Sequence, residues 1–434
     1  MNEIIDEKEY YKPKVFPIQN DAACVLKWSW VTYYMSMDQV NMCHRTGGFH
    51  MDGMRFKDFN KHPNLVEERE RMKNNQWPEK SCRYCKSVED VGSTSERQVF
   101  TKQVQWTPWE IQNSKNDDDI PLEVTPRIME VYFRNACNLA CTYCSPMFSS
   151  KIATELKKFG PISDKYGLDG AYKETDKYQA RKEEFWEYMQ EHSHKISYFH
   201  ILGGEPFYQR EFEECLDFLQ QKDHPNLVIK VFSNLSHTPR KFEQKIKLIR
   251  DLISQNRLKG FEIVCSIDAW GPEQEIARYG IDLKQWKRNF DVLVNEPKIT
   301  MSVHSTLCPL TLPTAYQLTE IVNESRKIKP SITHSWNIIA DPVFLDPTIF
   351  GKYMRTDFNK LIDVIPDFLS DTRKVVEGFR DKVVANDIST EKNKELMKEF
   401  YDYMEEICRR RNLDWRSVYP KLVSILIAEG VINE

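Results

Sequence analysis

The chain has 434 residues, 41% hydrophobic and 29% charged, with a formal net charge of −4 and eleven cysteines. That length admits two or three domains, and the balance of apolar and charged residues is that of a globular protein, not a disordered or fibrous one. The slightly acidic charge gives no sign of a general nucleic-acid binder. Residues 1–8 are polar and acidic, and no charge-free apolar run reaches membrane-spanning length, so a cytoplasmic protein without membrane contact is expected. Cysteines in that compartment are metal ligands or buried thiols before they are disulfides.

Residues 1–20, with Pro13 and Pro17, read as an extended arm. Residues 21–115 hold four cysteines, Cys24, Cys43, Cys82 and Cys85, at C-x18-C-x38-C-x2-C. The run from Trp28 to Met37 has strand-forming composition, and Asp38-Gln39 turns a hairpin back toward Cys43. A helix is expected over 64–73, and Pro78 marks the entry to a knuckle at Cys82-Arg-Tyr-Cys85, where two thiols can turn onto one metal. Four thiolates can hold zinc or a [4Fe–4S] cluster, and closing so long a loop costs entropy that grows only logarithmically. Trp28, Trp30, Trp106 and Trp109 are expected to shield this site, and His44 reads as a neighbouring histidine before a ligand.

Residues 112–125, with Asn116-Asp-Asp-Asp-Ile-Pro, form a charged linker. Strands are expected at 130–135, 197–202, 227–232, 261–267, 300–306 and 333–339. Helical faces lie between them: Phe212, Cys215, Leu216, Leu219 on one helix and Phe242, Ile246, Ile249, Ile253 on the next. Strands alternating with helices imply a parallel sheet, and six units over 116–345 suggest an incomplete β/α barrel. The 146–196 insertion, helical from about 176 to 192, is placed to cover an opening of that barrel. From 346 to 434 the chain is a helical extension, with helices at 390–410 and 417–428 and a solvated Arg409-Arg-Arg411 end.

Three more cysteines follow the first barrel strand, in Cys137-Asn-Leu-Ala-Cys141-Thr-Tyr-Cys144. Three thiolates can hold three irons of a [4Fe–4S] cube and leave the fourth open, where an electron-transfer cluster normally takes four. A zinc knuckle or unrelated cysteines are the alternatives. Chemistry in such barrels collects where strands end, and Gly203-Gly204-Glu205-Pro206, Ser233-Asn234-Leu235, Ser266-Ile267-Asp268 and Thr306-Leu307 all end strands on the rim that carries Cys137. Cys265 and Cys308 near the interior read as small buried thiols before hydrogen-atom donors, and Asp268, His304 and Asp341 as polar rim candidates.

The C-x3-C-x2-C run with Tyr143 before its last cysteine, followed by Gly-Gly-Glu-Pro, resembles the radical S-adenosylmethionine (SAM) enzymes. The resemblance implies α/β architecture, a partial (β/α)6 barrel, and a [4Fe–4S] cluster on Cys137, Cys141 and Cys144 with SAM at the open iron. It further implies SAM contacts from Tyr143, Gly203, Gly204, Glu205, Ser233, Asn234, Ser266, Arg278 and Leu307, with Leu235 where the family has Gly. An electron donor such as flavodoxin or ferredoxin is implied as partner. The 24–85 cysteines, with Trp77-Pro78 and Glu89…Gly92…Ser95…Arg97-Gln98, resemble the SPASM/twitch auxiliary module, here placed before the barrel as in proteins known mostly from phages and bacteria. That resemblance implies a second [4Fe–4S] cluster and a peptide or protein substrate. The same chemistry on a small metabolite, sugar or nucleotide, or a non-catalytic metal-stabilised scaffold, are the other readings.

Overall fold

The computed structural model describes residues 15–90, 92–115, 120–162 and 174–433. The arm up to residue 14, linker residues 116–119 and insertion residues 163–173 lie outside the described residues.

All six expected barrel strands form, with small shifts of boundary. In chain order the strands are β1 (Trp30–Tyr34), β2 (Gln39–Asn41), β3 (Phe49–His50), β4 (Ile128–Tyr132), β5 (Ala140–Cys141), β6 (Tyr198–Leu202), β7 (His224–Ser233), β8 (Leu258–Ser266), β9 (Arg278–Tyr279), β10 (Ile299–Leu307) and β11 (Thr333–Ile338). Nine of them make one mixed, open sheet in the order β11-β10-β8-β7-β6-β4-β1-β2-β3. The expected count of parallel strands needs one correction. β1, from the N-terminal segment, pairs parallel to β4 with Trp30 opposite Ile128, giving seven parallel strands, not six. The β1–β2 hairpin turns as expected, with Asp38 at φ 53°, but Leu26–Ser29 is a helical turn and not the start of the strand.

Helix Pro63–Lys73 lies where periodicity put it. The Cys82–Cys85 pair corrects another expectation: it sits inside helix Glu79–Asp90, not on a turn. Residues three apart on a helix share a face, so the two thiols still present together. In the insertion, helix Tyr178–His192 drives Phe185 among Phe56, Phe133 and Phe199, with ring centroids 5.4, 5.7 and 5.8 Å away. It is therefore a packing layer joining the N-terminal segment to the barrel.

The C-terminal extension packs on the barrel. Helix Glu391–Arg411 and helix Pro420–Ala428 bury Met397, Phe400, Met404, Leu422 and Leu426 in one apolar cluster with Ala277, Leu307, Cys308 and Leu310. The Tyr419 hydroxyl lies 3.0 Å from Glu273 O and 2.9 Å from Leu310 O. The arginine run is not a solvated end. Arg409 is exposed, but the Arg410 and Arg411 side chains are 2% and 3% exposed and are bonded to the helix that follows the second cysteine group.

Candidate functional site

Between β4 and β5 the chain forms the loop that carries Cys137 and leads to Cys141. Helix Ser150–Phe159 pins this loop from beneath. Ser149, at its N-cap, donates to Leu139 O at 2.7 Å, and the Ser150 hydroxyl accepts from Cys137 N at 3.1 Å. From the other side β9 pairs antiparallel with β5, setting Cys141 opposite Arg278 and Ala140 opposite Tyr279. Cys137 and Cys141 are buried, Cys144 is half-buried, and all three are free thiols. Burial pushes each thiol up, Cys144 to about 12, and the neighbouring thiols push Cys137 further. At Cys141 the Arg278 guanidinium pulls the other way.

Gly203 and Gly204 have positive φ, 82° and 56°, and both press against the chain entering the cysteine loop. A Cβ on Gly204 would overlap Ala136 O and stand 2.9 Å from Ala136 C; one on Gly203 would stand 3.0 Å from Tyr132. Gly204 needs glycine because two backbones meet, and Gly203 because the Tyr132 side chain fills the space and its φ is left-handed. Glu205 then points inward, 2% exposed, accepting from Asn234 N at 2.6 Å, Ser233 Oγ at 2.8 Å and Phe207 N at 3.2 Å. Burial raises its carboxyl to about 7 despite those bonds. Asn234 continues the link: its Nδ2 lies 3.1 Å from Asn138 Oδ1 and 3.9 Å from Cys137 Sγ. Leu235 adopts φ 52°, the left-handed conformation that glycine favours, while its side chain is fully buried. Ser266 ends β8 beside His304 of β10.

Asp268 was legible only as a polar rim residue. It is fully buried and saturated. Tyr143 Oη donates to it, Arg278 grips both its oxygens, and Thr306 N donates to Oδ1 at 2.8 Å. The Arg278 fork, which the resemblance gives to a SAM carboxylate, is thus already engaged with the protein's own carboxylate. Leu307, expected at adenine, lies in the apolar cluster beneath the C-terminal extension. Cys265 and Cys308 are completely buried, and burial raises both thiols. His304 bonds Ser335 and Asn337, and Asp341 is exposed beyond β11.

The first cysteine group gathers by a different set of ties. Arg97 donates to Ala23 O and Asp21 O, both at 2.6 Å, and pairs with Glu89 at 2.5 Å, so it clasps the Cys24 segment to the helix carrying Cys82 and Cys85. Arg45, two residues past Cys43, lies 4.8 Å over the Tyr84 ring of the same helix. Burial raises the Cys24 thiol, and the nearby Cys43 and Cys82 raise it further. Trp28, Trp30 and Trp106 share an apolar cluster with Cys24 and Cys82; Trp109 lies outside it. His44 lies against Trp30, ring centroids 4.7 Å apart and tilted by 35°, and bonds Glu96 at 2.9 Å. Sequence reasoning missed Lys27. Its ammonium is 2% exposed, 2.5 Å from Glu68 Oε2 and 3.5 Å from Ser81 Oγ, beside Cys82 and Cys43. A lysine within an apolar run next to a cysteine, as here, is the signal that could have found it.

Residues 131–306, from β4 through nearly all of β10, match the family model described as the Radical SAM superfamily. The chain thus contains a radical SAM superfamily domain spanning the second cysteine group and the Gly-Gly-Glu-Pro rim. A domain of this kind implies a general capacity for a [4Fe–4S] cluster and SAM, and redox-type enzymatic chemistry. Comparison with curated proteins finds no match for the chain. Among the described residues no three His, Cys, Asp or Glu side chains are grouped to hold a single metal ion. No helix among them is long and apolar enough to cross a membrane. The residues present fit an iron–sulfur cluster by their donor chemistry: three free thiols on one loop, with Leu139 N 3.4 Å from Cys137 Sγ.

Proposed function

We propose that the chain is a radical SAM enzyme, with Cys137, Cys141 and Cys144 holding a [4Fe–4S] cluster whose open iron takes SAM. When bound, that cluster supplies the electron that cleaves SAM to methionine and a 5′-deoxyadenosyl radical for hydrogen abstraction. The reading is carried by one observation: Asn234 ties the first cysteine to the Gly-Gly-Glu rim, its amide near Cys137 and its backbone N–H on Glu205. The first cysteine and the ends of β6 and β7 thus belong to one bonded unit.

Within that unit each side chain has a task. Gly203 and Gly204 offer unhindered backbone to an amino acid moiety. Glu205, poised near neutrality, can hold or release a proton beside a substrate ammonium. Tyr143 and Arg278, both on Asp268, keep the aromatic position of the cysteine loop in place. Ser233 orients Glu205. The proposal extends to a second cluster on Cys24, Cys43, Cys82 and Cys85, and to a peptide or protein substrate. Both rest on the resemblance of the N-terminal cysteines to an auxiliary module, supported by Arg97, which clasps the Cys24 segment to the helix carrying Cys82 and Cys85.

The test is anaerobic reconstitution with iron and sulfide, then dithionite and SAM. Two clusters give about eight irons per chain, and 5′-deoxyadenosine forms. Cys141→Ala should abolish that product while keeping about four irons. Product that persists in Cys141→Ala, or none from the reconstituted wild type, overturns the proposal.

A further inference from the structure

The C-terminal extension reaches the second cysteine group from outside the matched domain. Tyr403 Oη donates to Thr142 O, the residue after Cys141, and Thr142 N is bonded to Ala277 O at 2.8 Å. One residue from the end of the same helix, Arg410 donates to Gly160 O at 2.8 Å and Pro161 O at 3.0 Å, closing the end of helix Ser150–Phe159. Arg411 goes further in. Its Nε donates to Glu155 Oε2 of that helix at 3.0 Å, and its guanidinium carbon lies 5.0 Å over the Tyr279 ring. Tyr279 is the β9 residue paired with Ala140, next to Cys141.

Arg411 is 7% exposed as a residue, and its Nη1 is buried without a hydrogen-bond partner. Leaving a buried guanidinium N–H unpaired is costly, so such a group is a candidate donor to something at the site. Arg278, also near the site, is matched on both arms by Asp268. Arg411 is held on its Nε side alone, with its guanidinium over the ring of the β9 residue that pairs beside Cys141.

We propose that Arg411 is a positioning residue for the Cys137–Cys144 site, a fixed positive charge delivered by the C-terminal helix that raises the reduction potential of the cluster held there. The inference rests on the functional reading above. Its physical basis is general: a reduced cluster carries one more negative charge than the oxidised one, and net charge and hydrogen bonding around the sulfurs set the potential.

The experiment is an EPR-monitored redox titration of reconstituted wild type, Arg411→Gln, Arg411→Lys and Glu155→Gln, without SAM turnover. Arg411→Gln should shift the midpoint of this cluster negative, by a tenfold change in the reduced-to-oxidised ratio or about 59 mV for one electron. Arg411→Lys should stay near wild type. Glu155→Gln breaks the same ion pair but removes an anion, so its midpoint should move positive. A merely structural salt bridge predicts that Arg411→Gln and Glu155→Gln shift alike; that result, or no shift in either, overturns the inference. If Arg411→Gln takes up no iron, the Glu155→Gln direction decides. A wild type that binds no cluster overturns the functional reading and this inference together, whereas like shifts in a cluster-bearing protein overturn this inference alone.

Discussion

Arg278 grips Asp268 with both arms of its guanidinium, Nε to Oδ2 at 2.7 Å and Nη2 to Oδ1 at 3.0 Å, and both residues are buried. This pair joins the end of β8 to β9, and through Tyr143 it reaches the cysteine loop. Breaking a buried ion pair from one side leaves an uncompensated charge. Asp268→Asn should therefore cost about 3–5 kcal/mol. Urea unfolding of the metal-free chain should show a lower midpoint with unchanged slope; an unchanged midpoint would mean that Arg278 finds water.

The glycine rim makes a paired prediction. Gly204→Ala forces a Cβ into Ala136 at φ 56°, and overpacking plus left-handed strain should destabilise by about 2–4 kcal/mol. Gly378, inside helix Ser370–Val384, has nothing within 4 Å of an added Cβ. Gly378→Ala should stabilise by about 0.5–1 kcal/mol, as helix propensity alone dictates. Thermal melts of both variants separate close backbone approach from simple chain stiffening.

Glu205 sets a pH dependence. Its folded carboxyl titrates at about 7, above the ordinary value of about 4.3 in an unfolded chain. Between those values the folded state keeps a proton that the unfolded state has lost, so stability from this group falls as pH rises and levels off above the folded value. The span is up to roughly 4 kcal/mol at 1.36 kcal/mol per unit. Denaturation midpoints at pH 5 and pH 8 should differ more in wild type than in Glu205→Gln. Equal differences would show that Glu205 titrates normally.

Lys27 and Glu68 form another buried pair, 2% and 10% exposed at their side chains. Burial alone would lower the lysine, but Glu68 and then Cys82 and Cys43 outweigh it and raise it. Lys27→Met should cost about 3–5 kcal/mol by stranding Glu68, and Lys27→Met with Glu68→Leu should recover much of that loss. A double variant no better than the single would make Lys27 a partner of the thiols and not chiefly of Glu68.

The parallel sheet was legible because its strands are period-two or continuous apolar runs bounded by helical faces. Phe212, Cys215, Leu216 and Leu219 are all buried as their spacing requires. The glycine rim was legible because close approach of the chain demands residues without a Cβ. The partners of Arg278, Lys27 and Arg411 were not. A charged residue in a sequence reads as exposed until its counter-charge is found, and these counter-charges stand 10, 41 and 256 positions away.

By itself the sequence determined the six strands from β4 to β11 that follow the linker and the helical faces between them, since these follow from local pattern. Only the tertiary structure decided that β1 joins the barrel sheet, that Cys82 and Cys85 ride on a helix, and that the last helix reaches the second cysteine group. Each of those depends on which distant surfaces meet, and the free energy of meeting lies in burial and charge pairing across the fold, where no local window of residues contains both sides.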